Sequence, residues 1–149
     1  MDINKKIFIL RGLPGVGKST LASYLATNLA PKKGEGKGAI ILSSDDFFIA
    51  SNGKYIFDDN KIVEAHKWNF KRFKEAIERE LSPIIIDNSN YKKYHYYQYV
   101  DYAQRKNYSV AVIVIPHNDV SDKELEERTP HGIKRRTIEK MRRNFEWEI

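Results

Sequence analysis

Apolar residues along this chain fall into two alternating patterns. Short, nearly continuous runs lie at residues 6–10, 39–43, 83–87 and 109–115, the last reading SVAVIVI. Runs of this length, bounded by charge, glycine or proline, predict strands of a parallel sheet buried on both faces. Between them, apolar positions recur every three or four residues. Leu21, Leu25 and Leu29, with Ala22 and Ala26 between them, predict an amphipathic helix over 19–30 that Pro31 stops. A long helix is expected over about 60–81, capped by Asp58 or Asp59, and another over about 92–106. From Ser121 the pattern predicts a short helix, a break at Pro130, His131 and Gly132, and a final helix to about Trp147. Asn52 and Gly53 mark a turn inside a loop or loose hairpin over 49–57, and KKGEGK at 32–37 reads as a mobile surface connection. Strands alternating with helices need crossover connections. The expected fold is therefore α/β, a mainly parallel sheet of about four strands with helices on both faces, in one domain over 1–149.

Composition changes this picture in three ways. The absence of cysteine excludes disulfides, thiolate metal sites and cysteine nucleophiles. The excess of 26 Lys and Arg over 20 Asp and Glu, a formal charge of +6, leans toward anionic partners, nucleotides and nucleic acid foremost. The apolar stretch at 7–10 is too short for a signal or membrane segment, so no membrane association is expected and the protein reads as intracellular, in cytoplasm or nucleus.

The chemistry begins at the first turn. Gly12, Leu13, Pro14, Gly15, Val16, Gly17, Lys18 and Ser19 satisfy GxxxxGK[ST], followed by Thr20, after a predicted strand and at the start of a predicted helix. Glycines let backbone N–H groups turn around phosphates, and the helix presents its positive end. A nucleoside triphosphate with Mg2+ is the implied ligand, with Lys18 reaching the β- and γ-phosphates and the Ser19 hydroxyl on the metal. Asp87, closing the run Ile84, Ile85, Ile86, stands where an acidic metal residue is expected; a turn or capping role competes, and Asn90 is a candidate cap for the next helix.

Asp45 and Asp46 follow the second strand beside the expected phosphates, and either could take the proton of an attacking hydroxyl. Phe47 and Phe48 after them pack in the core or line an acceptor groove. Arg128, Arg135 and Arg136 fall in the last third, where a helical lid would bring Arg to the transferred phosphoryl; surface ion pairing is the competing role. Six tyrosines between Tyr91 and Tyr102, interleaved with basic residues, invite base stacking, although Tyr97 and Val100 read better as packing against the sheet. A GTPase switch is not expected, because no DxxG follows a strand and no [NT]KxD ends one.

RGLPGVGKST, LSSDDFF, GKYIFDDNKIVEAHKWNFKR, SPIIIDNSN and ELEERTPHGIKRRTIEKM occur in that order over nearly the whole chain. Together they resemble the kinase-like P-loop domain of the Nedd-type ubiquitin-ligase-binding proteins, related in turn to phage-type polynucleotide 5′-kinases. The resemblance implies a sheet ordered 2-3-1-4, a C-terminal helical lid carrying Arg128, and Asp45 as the base that activates the 5′-hydroxyl of RNA or DNA. It marks His66, Trp68 and Asn69 as a signature of unassigned role. Two positions depart from the phage-type pattern: Phe48 and Gly132 stand where those enzymes carry arginines for the acceptor phosphate and the lid, with Arg135 or Arg136 as candidate substitutes. No DxDGT-like sequence occurs, so the phosphatase activity of some relatives is not expected. The implied activity is ATP- and Mg2+-dependent phosphorylation of polynucleotide 5′ ends. A small-metabolite or nucleoside kinase, and a nucleotide-binding interaction module without turnover, are the rivals.

Overall fold

The computed structural model describes residues 2–129 and 131–148, and for Asp2 and Ile3 only the backbone. Pro130, part of the expected break, lies outside the described residues. Strands β1 (Asp2–Arg11), β2 (Ile40–Leu42), β3 (Ile84–Asp87) and β4 (Tyr108–Val114) form a parallel sheet in the order 2-3-1-4, as the resemblance implied. Alternation along each strand divides the core in two. Ile7, Ile9, Ile84, Ile86 and Leu42 point to one face, and Leu10 and Ile85, with the partly buried Phe8, Ile41 and Ile113, point to the other. Helix α1 (Lys18–Leu29) covers the second face through Leu21, Ala22, Leu25 and Ala26. Helices α2 (Ile62–Glu78) and α3 (Tyr97–Arg105) cover the first through Phe73, Ala76, Ile77, Tyr99 and Ala103. Both faces are thus closed by helices, which is why the strands read as continuous rather than alternating apolar runs.

A third, smaller core joins the phosphate-loop region to the last helices. Leu13 packs with Leu125 of α4 (Asp122–Arg128), Ile138 of α5 (Arg135–Arg143) and Phe145. These two helices therefore rest at the carboxyl edge of the sheet, over the loop that follows β1.

Several boundaries differ from expectation, each for a visible reason. Helix α2 stops at Glu78 rather than 81, because Glu80 turns left-handed (φ 56) and the Leu81 N–H returns to the Ala76 carbonyl, tucking Leu81 into the core. The helix expected over 92–106 divides into a 3-10 turn, Lys93–His95, and α3; buried Tyr96 between them has φ −127, outside helical geometry. Helix α5 ends at Arg143 rather than Trp147, since the following segment is held against buried Arg11. Strand β1 begins at Asp2, four residues early, by pairing with Tyr108 of β4 across a register irregularity. Asn90 is not a helix cap: it takes φ 47, and its side-chain amide donates to the Leu10 carbonyl at 2.8 Å. Among the described residues no helix is long and apolar enough to cross a membrane.

Candidate active site

The loop after β1 folds back on itself, with the Val16 N–H donating to the Leu13 carbonyl (3.2 Å) and the Gly12 N–H to the Ser89 carbonyl beyond β3 (3.0 Å). Gly15 and Gly17 adopt left-handed backbone, φ 81 and 112. Such conformations let neighbouring N–H groups face one side, as a phosphate cradle requires. At Gly15 there is a second constraint. A Cβ there would lie 2.5 Å from the Leu125 carbonyl oxygen and 3.3 Å from the Cβ of Arg128, so α4 rests directly on the loop.

Lys18, the first residue of α1, is buried and its Nζ donates to the Leu13 carbonyl at 2.9 Å. Burial lowers its ammonium pKa to about 8, against the opposing charges of Asp87 and Asp45. The Ser19 hydroxyl donates to Asp87 Oδ2 at 2.9 Å. Burial raises the Asp87 carboxyl; the Ser19 hydrogen bond and the Lys18 charge pull it down, while Asp45 and Asp46 push it up. The Lys18, Ser19, Asp87 and Asp45 side chains thus share one electrostatic environment at the ends of β1, β2 and β3.

Asp45 is held by its turn. It sits in a 3-10 segment, Ser44–Phe48, whose start is capped by Ser43 Oγ accepting from the Asp45 N–H (3.2 Å). The Asn88 side chain accepts from the Ser44 N–H (2.9 Å), tying the turn after β2 to the loop after β3. Tyr55 stands over the carboxylate, its hydroxyl 3.5 Å from Asp45 Oδ1, and burial, then Asp45's charge and hydrogen bond, push its phenol up to about 12. Asp46 has a different partner. Arg72 of α2 reaches it at 3.4 Å while lying over the Trp68 ring at 4.2 Å. The two adjacent carboxylates are therefore distinguished by what engages them.

Among the described residues no three His, Asp or Glu side chains gather as a metal cluster. The oxygen pair of Ser19 and Asp87 fits magnesium nonetheless, because that ion commonly takes one or two protein oxygens and completes its shell with phosphate and water.

A family model described as an AAA domain matches residues 7–147. The chain belongs to that family. Its fold is that of nucleotide-binding P-loop proteins of the kinase-like type. The AAA-domain chain is 38% identical over 144 residues to NEDD4-binding protein 2 of Homo sapiens, a match covering 94% of this chain and 8% of that protein. It spans, then, only a small part of that relative's length. Among the solved structures that share the fold are two whose likeness extends over nearly all of this chain. A chain of the Pnkp1/Rnl/Hen1 RNA repair complex aligns with TM-score 0.65 at 20% identity, covering 97% of this chain and 45% of that one. Chaetomium thermophilum Kti12 in complex with ADP-AlF3 aligns with TM-score 0.66 at 17% identity, covering 94% of this chain and 80% of that one.

In this AAA-domain chain the arginines of the last third sit on α4 and α5. Arg128 is at the end of α4, its Cβ against the loop at Gly15 and its guanidinium paired with Glu124 at 3.2 Å. Arg135 opens α5, tied to Glu126 by backbone (2.7 Å) and side chain (3.1 Å). Thr20 is exposed on the first turn of α1. Phe48 is buried against Phe57 and Phe47. The His66, Trp68 and Asn69 signature acquires supporting contacts: His66 Nδ1 lies 2.9 Å from Ser44 Oγ, Trp68 carries Phe47 and Arg72, and the Asn69 side chain donates to the Tyr99 hydroxyl at 3.2 Å.

Two features escaped the sequence reading. Arg11, fully buried, donates Nε to the Asn90 carbonyl at 2.8 Å and uses its other nitrogens on the Tyr91, Glu146 and Glu148 carbonyls, between the Tyr96 and Phe145 rings. A lone charge closing an apolar strand was its only signal. His131 stacks on Tyr55 with ring centres 4.0 Å apart, joining the α4–α5 connection to the hairpin over Asp45. No local pattern pairs residues so distant in the chain.

Proposed function

We propose that this domain transfers the γ-phosphoryl of ATP to the 5′-hydroxyl of RNA or DNA. The observation that carries the reading is the Ser19–Asp87 hydrogen bond beside buried Lys18 at the carboxyl ends of β1 and β3, with the nearby Asp45 carboxylate under Tyr55 and Asp46 paired with Arg72. Likeness to a chain of an RNA repair complex and 38% identity to NEDD4-binding protein 2 support it. In this mechanism the backbone of Gly12, Leu13, Pro14, Gly15, Val16 and Gly17 holds the donor phosphates, with Thr20 and Arg135 completing the donor site. Ser19 and Asp87 would hold Mg2+, which would supply positive charge to offset that of the donor phosphates. Asp45 accepts the proton of the 5′-hydroxyl as its oxygen bonds to the γ-phosphorus. The bond from that phosphorus to the β–γ bridging oxygen breaks, and ADP leaves. Lys18 and Arg128 stabilise the charge spread over the transferred group.

The test is transfer of labelled γ-phosphate from ATP to a 5′-hydroxyl oligonucleotide. Asp45→Asn is expected to lower kcat by about 100-fold or more with nucleotide affinity retained, whereas Asp46→Asn retains most of the rate. Folded protein that transfers to nucleosides or metabolites and never to an oligonucleotide would overturn the assignment.

A further inference from the structure

A groove of about 420 Å³ runs between α2 and the segment that opens α3. One wall is cationic. Lys67, Lys71 and Lys74, four and three residues apart, line a single face of α2 over roughly 10 Å of helix. No carboxylate lines the groove, and among the described residues none of the three lysines forms an ion pair. Tyr94 on the opposite wall is 74% exposed, its ring braced edge-on by His95 at 4.4 Å. The floor is Phe70, above which Lys74 holds its ammonium at 5.2 Å. At one end stands His66, whose ring reaches Ser44, the residue next to Asp45.

The cationic rim corresponds to phosphates, and the apolar floor and open aromatic face correspond to the planes of bases. An acidic peptide would satisfy the lysines but has no use for the exposed ring. Charge complementarity with aromatic interleaving is how single strands are held without base-specific hydrogen bonds. We infer that this groove is the track of a single-stranded polynucleotide, holding the nucleotides that follow the reacting 5′ end. The inference rests on the kinase reading for which end lies at Asp45. The occupancy of the groove itself can be measured without any transfer.

The experiment is equilibrium binding, by fluorescence anisotropy, of a 3′-labelled 5′-hydroxyl oligonucleotide of about twelve nucleotides across a series of salt concentrations. For Lys67→Ala, Lys71→Ala and Lys74→Ala combined, affinity near 0.1 M salt should fall at least about tenfold and the slope of log K against log salt by about 2, roughly 0.7 per lost phosphate contact. Tyr94→Ala should weaken binding about fivefold or more with the salt slope unchanged. A control set on the 32–37 connection, Lys32→Ala, Lys33→Ala and Lys37→Ala, should bind as wild type does. Undiminished binding by the groove variant, an equal loss in the control set, or equal displacement by a polyglutamate peptide would overturn the proposal. The transfer assay separates the two readings. Lost binding in the groove variant, with no transfer by wild type, leaves the groove assigned and the kinase reading wrong. Transfer with an unchanged KM for the long oligonucleotide in the groove variant leaves the kinase reading intact and the groove wrong.

Discussion

Burial is what gives Lys18 its particular chemistry, and it carries a measurable stability signature. With its ammonium lowered to about 8 from 10.5, both folded and unfolded chains hold the proton below pH 8. Between pH 8 and 10.5 the folded protein has released it while the unfolded chain still binds it, so stability from this group rises with pH across that window. Relative to Lys18→Met, the wild type should therefore gain up to about 3 kcal/mol between pH 7 and the top of the window, read from denaturant melts at both values. A flat difference would mean the ammonium is solvated. At this scale the motif singles out Lys18, but only packing decides how deeply it lies. The same holds for the aspartates. Adjacent in sequence, Asp45 and Asp46 have different partners from distant elements, Tyr55 over the first and Arg72 paired with the second.

At the scale of elements, the helices and strands follow from periodicity, whereas their ends depend on partners far along the chain. The segment after α5 is the clearest case. Its residues read as helix, yet the Glu146 N–H donates to the Tyr91 carbonyl and the Glu146 and Glu148 carbonyls accept from Arg11. Arg11→Met should remove those bonds and leave the buried Asn90 carbonyl without its donor, costing about 2–4 kcal/mol in thermal or denaturant unfolding. Amide exchange at Glu146 should accelerate beyond the global change. Arg11→Lys should recover only part of the loss, because one ammonium cannot span carbonyls that a guanidinium fork reaches together. If exchange at Glu146 is unaltered, Arg11 is not the tether.

Across the whole molecule, the small core around Leu13 and Leu125 couples the phosphate loop to the last two helices. Leu125 is fully buried there, and its carbonyl sits where a side chain on Gly15 would have to go. Leu125→Ala should cost about 2–4 kcal/mol of stability and also weaken binding of a fluorescent ATP analogue, with Lys18, Ser19 and Asp87 untouched. Destabilisation with nucleotide affinity unchanged would show that α4 packs on the loop without supporting it.

The sequence by itself determined the α/β class and the phosphate-loop motif, and it singled out Lys18, Ser19, Asp45 and Asp87 as candidates around that loop. Those signals are local: a run of apolar side chains, a helical repeat, glycines at fixed spacing before a lysine. The tertiary structure alone decided that Tyr55 engages Asp45 and Arg72 engages Asp46, why Gly15 admits no side chain, where α2 and α5 stop, and that Lys67, Lys71 and Lys74 share a groove with Tyr94. Each of these depends on atoms brought together from distant positions, and burial and electrostatics act through distance in space rather than along the chain.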